Sequence, residues 1–463
     1  MKKIFTLIMI FILAVNLSAP VVFASQPDDI PTSTDADSAG NAPDITSNAA
    51  IVMNADTGQI LYEKAAYDKM YPASLTKVMT ALITLEEGDL TSTVTMSETA
   101  VYGIDPESSH IALSVGEELS LEDALYGVML ASANEASLGI AEHLSGSNEA
   151  FCAKMNQRAK DLGCTSTNFM NPNGLHDDNH YSTAYDLALI TKEALTHQKF
   201  VDICATKYYE IPATNKADKR GLTQNNKLLY EESDYYYEYC FGGKTGYTQK
   251  AQGTLVSWAK KDGMTLLCVT LNAPSNAENF YDTKALYDYC FANYKQVSPL
   301  EGYTFSEEDL TMAESHLNKY YGGKNLGTFS LNVDTTASVT MPKDFTSSAQ
   351  NIKFLLSTDR LAENILGSLV VTFDDVEYLR VPVSYSGYIN SEDEEAVQAA
   401  IAAGIIKKPK EKASPIKTFL IFLLVIIIVG AGLALFLRVQ YVKKQRAAYR
   451  RRRDIARKKG KSF

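Results

Sequence analysis

The chain has 463 residues, 46 % of them apolar and 21 % charged, with a formal net charge of −11; it is long enough to bury more than one core. Twelve basic residues and a single acid, Asp454, fall within 438–463. Without that tail and without Lys2 and Lys3, residues 25–437 carry about −24, an acidic balance that argues against nucleic acid as a partner.

Lys2 and Lys3, an apolar run over 4–17 and the small-residue site at Val22-Phe23-Ala24 predict a secretory signal peptide over 1–24. Residues 25–46, rich in Asp, Ser, Thr and Pro, have too few large apolar groups to offset ordering and are expected to be a flexible leader. From 47 to 295 the pattern is that of one domain. Short apolar runs at 50–53 and 59–62 flank Asn54-Ala55-Asp56-Thr57-Gly58 as a hairpin, and a second hairpin is expected from 253–259 and 264–271 around Lys260-Lys261-Asp262-Gly263. Leu75, Val78, Met79, Leu82 and Ile83 recur at helical spacing, so a core helix is predicted to start near Ser74, with Pro72 tolerated at its first turn. Between about 97 and 224 the pattern is mostly helical, with segments at 121–130 behind a Ser120 cap, 136–144, 151–162 and 182–195. The fold expected is α+β: an antiparallel sheet assembled from the two ends of the domain, with a helical insert and the Ser74 helix packed against it.

Short alternating runs over 296–388 predict a small β-rich domain. Residues 389–417 read as a linker with a helix at 392–406, and the uncharged stretch 418–437 is long enough to span a bilayer as a helix. By the positive-inside rule the basic tail 438–463 is expected in the cytoplasm and the rest of the mature chain outside, on a single-pass anchor. Six cysteines, Cys152, Cys164, Cys204, Cys240, Cys268 and Cys290, all fall in the first domain. Bridges and free buried thiols both remain open.

Ser74 and Lys77 stand three residues apart, which on a helix places a hydroxyl beside an amine, next to the unpaired amides of a helix N-terminus that suit a developing oxyanion. Ser-x-x-Lys recurs at Ser257–Lys260, in a strand-like run, and at Ser414–Lys417, just before the apolar span, and neither copy is expected to offer a helix start. Two further runs complete a set: Ser132-Ala133-Asn134 at a helix break, and Lys244-Thr245-Gly246, found once, leading into the second hairpin. Three such motifs in their expected settings form a set that chance rarely produces. His176 and His180, four apart near Asp177 and Asp178, lack the Glu of a metalloprotease helix and follow a Pro/Asn/Gly turn. They are expected to be a solvated loop, not a metal site.

With Tyr71-Pro72-Ala73-Ser74-Leu75-Thr76-Lys77, Lys244-Thr245-Gly246-Tyr247-Thr248, Asn171-Pro172-Asn173-Gly174-Leu175 and Tyr181-Ser182-Thr183-Ala184, the chain from about 47 to 295 resembles the serine-type D-alanyl-D-alanine carboxypeptidases, the low-molecular-mass penicillin-binding proteins. Two features depart from that family's pattern: Glu135 stands where Asp is usual, and a full span replaces the common amphipathic anchor. The resemblance implies that Ser74 attacks the penultimate D-alanine of a peptidoglycan stem peptide and that Lys77 takes its proton. It implies that Ser132 returns a proton to the departing D-alanine and that Asn134 binds the substrate amide. Lys244 and Thr245 would hold the terminal carboxylate, Gly246 would admit the substrate backbone, and the amides of Ser74 and Tyr247 would form the oxyanion hole. No cofactor is implied. β-Lactams are expected as covalent inhibitors, and because no Glu-x-x-x-Asn lies between Ser132 and Lys244, slow release of the β-lactam is expected. A DD-endopeptidase of the same family, or a catalytically silent wall-binding scaffold, are the alternatives.

Overall fold

The computed structural model describes residues 42–346, 350–406 and 415–458. The expected signal peptide and most of the leader lie outside the described residues. Five antiparallel strands form the main sheet in the order Ile60–Lys64, Ala49–Asn54, Met264–Ala273, Gln252–Lys261 and Cys240–Thr248. Ala49 pairs with Leu271 and Asn54 with Leu266, so the two ends of the domain close one sheet, as the hairpin pattern predicts. Period-two alternation then divides the side chains between two layers. Ile51, Met53, Val256, Trp258, Leu267 and Val269 join the core of the helical insert. Ala50, Val52, Leu255, Leu266 and Cys268 pack instead with Phe280, Leu286 and Tyr287 of the Asn276–Asn293 helix.

The Thr76–Glu87 helix lies at the centre of the insert, buried on every side from Thr76 through Thr84. The periodicity predicts a start near Ser74, and Ser74 itself falls in the turn just before the α-helix. Ala73 takes φ +48° and the Leu75 N–H donates to the Pro72 carbonyl at 3.2 Å, so Ala73–Leu75 form a tight 3-10 turn and the α-helix begins at Thr76. Ser120 caps the Leu121–Leu130 helix through the Asp123 N–H, as expected, and the Asn134–Ser145 helix follows after a sharp break. Two ribbons escape the sequence pattern: Thr93–Thr95 with Glu118–Ser120, and Tyr208–Ile211 with Arg220–Thr223. Strands of three or four residues are too short to show a period.

A four-stranded antiparallel sheet, in the order Ser330–Val333, Val376–Ser386, Ile365–Phe373 and Gln350–Leu356, accounts for the alternating runs of the later region. Its core gathers Leu300, Val339, Met341, Leu369, Val371, Val381 and Val383. The Glu307–Tyr321 helix breaks into this region, which the alternation did not foretell. Asn54 Nδ2 donates to Thr340 Oγ1 at 2.7 Å and the Thr340 N–H to Gln59 Oε1 at 3.1 Å, fastening the first hairpin's turn to the Val339–Pro342 strand.

By contacts the chain divides into two compact units, one running to Ala313 and including Leu331–Ser386, the other made of Glu314–Ser330 and the chain from Gly387 onward. In the second unit Asp393 caps the Glu394–Ala402 helix, and Pro415–Lys458 is one continuous helix of 44 residues; it begins directly after Ser414, which corrects the expectation that this Ser-x-x-Lys copy lies outside a helix start. Its segment from Leu423 is long and apolar enough to cross a membrane, and exposes Leu424, Ile427, Ile428, Val429 and Leu433. The basic stretch after Leu437 continues that helix without a break as far as Lys458. All six cysteines are free and buried.

Candidate active site

Ser74 lies at the meeting point of three segments. Lys77, one turn on, places Nζ 3.0 Å from Ser74 Oγ, and Ser132 Oγ donates to the same oxygen at 2.9 Å. Ser132 reaches it from a residue held at φ +61°, a left-handed conformation that costs a non-glycine residue of order 1–3 kcal/mol. The Ala133 N–H to the Gly127 carbonyl, at 3.0 Å, closes the break that carries it.

Lys77 is fully buried. Besides Ser74 it meets two acceptors, Asn134 Oδ1 at 2.7 Å and the Asn173 carbonyl at 2.5 Å. A neutral amine has two N–H donors and one lone pair. Asn134 and Asn173 therefore satisfy both donors and leave the lone pair facing the Ser74 hydroxyl. Burial, and next the charge of Lys244, push the Lys77 amine well below its ordinary range, with Glu135 pulling the other way. Lys244 is itself pushed down to about 7 by burial, and its Nζ donates to the Thr245 carbonyl at 2.8 Å.

The Lys244-Thr245-Gly246 run lies on Cys240–Thr248, an edge strand of the sheet. It passes so near Ser74 that a Cβ on Gly246 would stand 2.8 Å from the Ser74 nitrogen and 2.5 Å from Thr254 Oγ1. Only glycine fits. Tyr247, next along the edge, is about half exposed.

Asn171–Leu175 makes the third wall. The Thr80 hydroxyl donates to the Pro172 carbonyl at 2.6 Å, the Gly174 N–H to Asn171 Oδ1 at 2.7 Å and the Leu175 N–H to Asn173 Oδ1 at 3.0 Å. Behind this loop stands His180, only 2 % exposed, which corrects the expectation of a solvated loop. Its Nδ1 accepts the Met170 N–H at 3.1 Å, so the proton is on Nε2, 2.8 Å from Thr76 Oγ1. Burial pushes His180 down to about 4. Among the described residues no group of three or more His, Cys, Asp or Glu is placed to hold a metal ion.

The structure thus brings Ser74, Lys77, Ser132 and Asn134 into one hydrogen-bonded net, with Lys244, Thr245, Gly246 and Tyr247 on the strand beside it. Sequence reasoning did not assign the Asn173 carbonyl or the Ser108 hydroxyl, which accepts from Asn134 Nδ2 at 2.9 Å. The Asn171–Leu175 words were the signal for the first; nothing marked the second.

A serine whose hydroxyl faces a buried amine, with a second serine at its other side and a cationic edge strand alongside, is the centre of a serine acyl-transfer hydrolase. The profile of the D-alanyl-D-alanine carboxypeptidases of peptidase family S11 matches residues 36–275, and the chain belongs to that family. It is 35 % identical over 298 residues to the D-alanyl-D-alanine carboxypeptidase DacF of Bacillus subtilis, covering 64 % of this chain and 72 % of the relative. It is 32 % identical to DacB2 of Mycobacterium tuberculosis, covering 55 % of this chain and 86 % of the relative. Among solved structures, a variant of the Streptomyces K15 DD-transpeptidase aligns with TM-score 0.51 at 29 % identity, over 54 % of this chain and all of that one. The D-alanyl-D-alanine carboxypeptidase of Mycobacterium tuberculosis aligns with TM-score 0.50 at 30 % identity, over 54 % and 93 %.

Proposed function

We propose that this serine D-alanyl-D-alanine carboxypeptidase works through an acyl-enzyme on Ser74 and trims the terminal D-alanine from peptidoglycan stem peptides. The observation that carries the assignment is the Lys77 amine, buried, held by two fixed acceptors and aimed at Ser74 Oγ. In the first step the Ser74 oxygen bonds to the carbonyl carbon of the penultimate residue while its proton passes to Lys77. The carbon–nitrogen bond then breaks, and Ser132, bonded to Ser74 Oγ, relays the proton to the departing D-alanine amine. Water then attacks the ester carbon as Lys77 takes its proton, the bond to Ser74 Oγ breaks, and Lys77 returns that proton to the serine oxygen.

Asn134 and the edge strand hold the peptide, with Lys244 and Thr245 on its carboxylate and the amides of Ser74 and Tyr247 around the oxyanion. A β-lactam carries the same reactive carbonyl and carboxylate and acylates the same oxygen. The apolar part of the Pro415–Lys458 helix is the membrane anchor, with the catalytic unit outside and the basic end in the cytoplasm.

Mass spectrometry of the detergent-solubilised full chain after penicillin treatment tests this, with D-alanine release from a D-Ala-D-Ala peptide measured alongside. A lasting adduct on the wild type, its loss in Ser74→Ala, and D-alanine release by the wild type only are expected. An adduct that survives Ser74→Ala would overturn the assignment.

A further inference from the structure

The residue after Ser132-Ala133-Asn134 is a buried acid that the steps above do not use. Glu135 is 1 % exposed and stands in the first turn of the Asn134–Ser145 helix, where the helix dipole favours negative charge. Its Oε1 accepts two backbone N–H groups from another segment, Ile111 at 2.7 Å and Leu113 at 3.4 Å. Ala112, between them, has φ +57°, a left-handed turn that aims alternate amides at one anion. The other oxygen, Oε2, is buried with no hydrogen-bond partner among the described residues. A half-satisfied buried carboxylate is costly, so a cation within electrostatic reach matters to it.

The segment that Glu135 grips is a wall of the site. Its Ser108 hydroxyl accepts from Asn134 Nδ2, and its Ser109 carbonyl accepts the Asn134 N–H at 2.9 Å. Asn134 in turn presents Oδ1 to Lys77. We propose that Glu135 is a positioning residue for acylation: one oxygen ties the 108–113 segment to the Ser132–Glu135 turn, and the carboxylate sets a fixed negative charge behind the Lys77–Asn134 pair. This rests on the reading of Lys77 as the base. The charged and titratable groups facing Lys77 are Lys244 from the edge strand, Glu135 from the Asn134–Ser145 helix and His180 from the segment before the Ala184–Ala194 helix. Glu135 is the one that favours the protonated amine.

Two substitutions separate the roles. Glu135→Gln keeps a carbonyl oxygen for the two amides and removes the charge, whereas Glu135→Ala removes both. The second-order rate of penicillin acylation is measured against pH on the full chain in detergent. Glu135→Gln moves the acid limb to lower pH, because the charge that favours the protonated Lys77 amine is gone. Glu135→Ala moves the limb likewise and lowers the plateau by about tenfold or more, because Asn134 and Lys77 lose a fixed wall. A merely structural residue would leave the limb where it is. An acid limb unmoved in Glu135→Gln overturns the proposal, and that variant decides alone if Glu135→Ala does not fold. A wild type that forms no Ser74 adduct would sink the Lys77 reading and this inference together; a wild-type limb shared by Glu135→Gln sinks only the inference.

Discussion

Gly174→Ala should disable acylation although it adds one methyl group. Gly174 sits at φ +82°, and a Cβ there would lie 1.9 Å from the Ala73 carbonyl oxygen and 3.0 Å from Thr76 Oγ1. Real Cβ atoms keep at least 3.0 Å from their neighbours, so the loop and the turn before Ser74 must part by about 1 Å. Two effects add. The left-handed conformation costs alanine of order 1–3 kcal/mol and the overpacking a similar amount. More tellingly, a shift of that size at a reacting group costs on the order of 10² in rate. Gly163→Ala is the control, since Gly163 has φ +85° with nothing within 4 Å of the added carbon. Thermal melts and stopped-flow acylation by penicillin on both variants separate strain from misplacement. Both should melt lower, Gly174→Ala the more so, and only Gly174→Ala should lose acylation. Acylation by Gly174→Ala within threefold of the control would refute the argument that loop and nucleophile turn are interlocked.

Removing the charge of Lys244 with Lys244→Gln raises the Lys77 amine, so the acid limb of acylation moves to higher pH. The rate at neutral pH should fall about tenfold or more, the worth of a charge-assisted hydrogen bond to the substrate carboxylate. His180 has a folded-state value near 4 against about 6.5 unfolded, so the unfolded chain takes up the proton first. Its contribution is complete above about 6.5 and is lost as pH falls toward 4, on the order of 3 kcal/mol in all. His180→Gln should flatten that part of a urea-midpoint-against-pH curve. Arg220 holds the fully buried Glu117 through Nη1 at 2.6 Å and Nη2 at 2.9 Å. Arg220→Met should cost about 3–5 kcal/mol in urea unfolding, and adding Glu117→Gln should recover part of it.

What the sequence made legible was chemistry tied to residue type. Ser74, Lys77, Ser132, Asn134 and Lys244 each bring a side chain that little else can replace, and the hairpins brought their segments together. The Asn173 contribution was hidden because it is a backbone carbonyl, which every residue has. His180 reads as a loop histidine until burial is known, and burial depends on Phe169 and Thr76, which approach it only in the folded chain. Ser74 was expected in an α-helix because periodicity registers side chains and not the positive φ at Ala73 that tightens the turn. The anion site at Glu135 depends on the left-handed turn at Ala112, and alanine carries no mark of it.

The pairing of Ala49–Asn54 with Met264–Ala273 also sets a timetable. Synthesis runs from the N-terminus, so Ser74 is made about 170 residues before Lys244, a delay of roughly ten to thirty seconds at about 5–20 residues per second. Throughout that interval the first strand has no partner on the side where Met264–Ala273 will lie, and the serine has no edge strand beside it. On the proposed mechanism, Ser74 lacks its substrate-holding strand until Cys240–Thr248 has arrived. A chain cut short before residue 240 is expected to be not a slower enzyme but no enzyme.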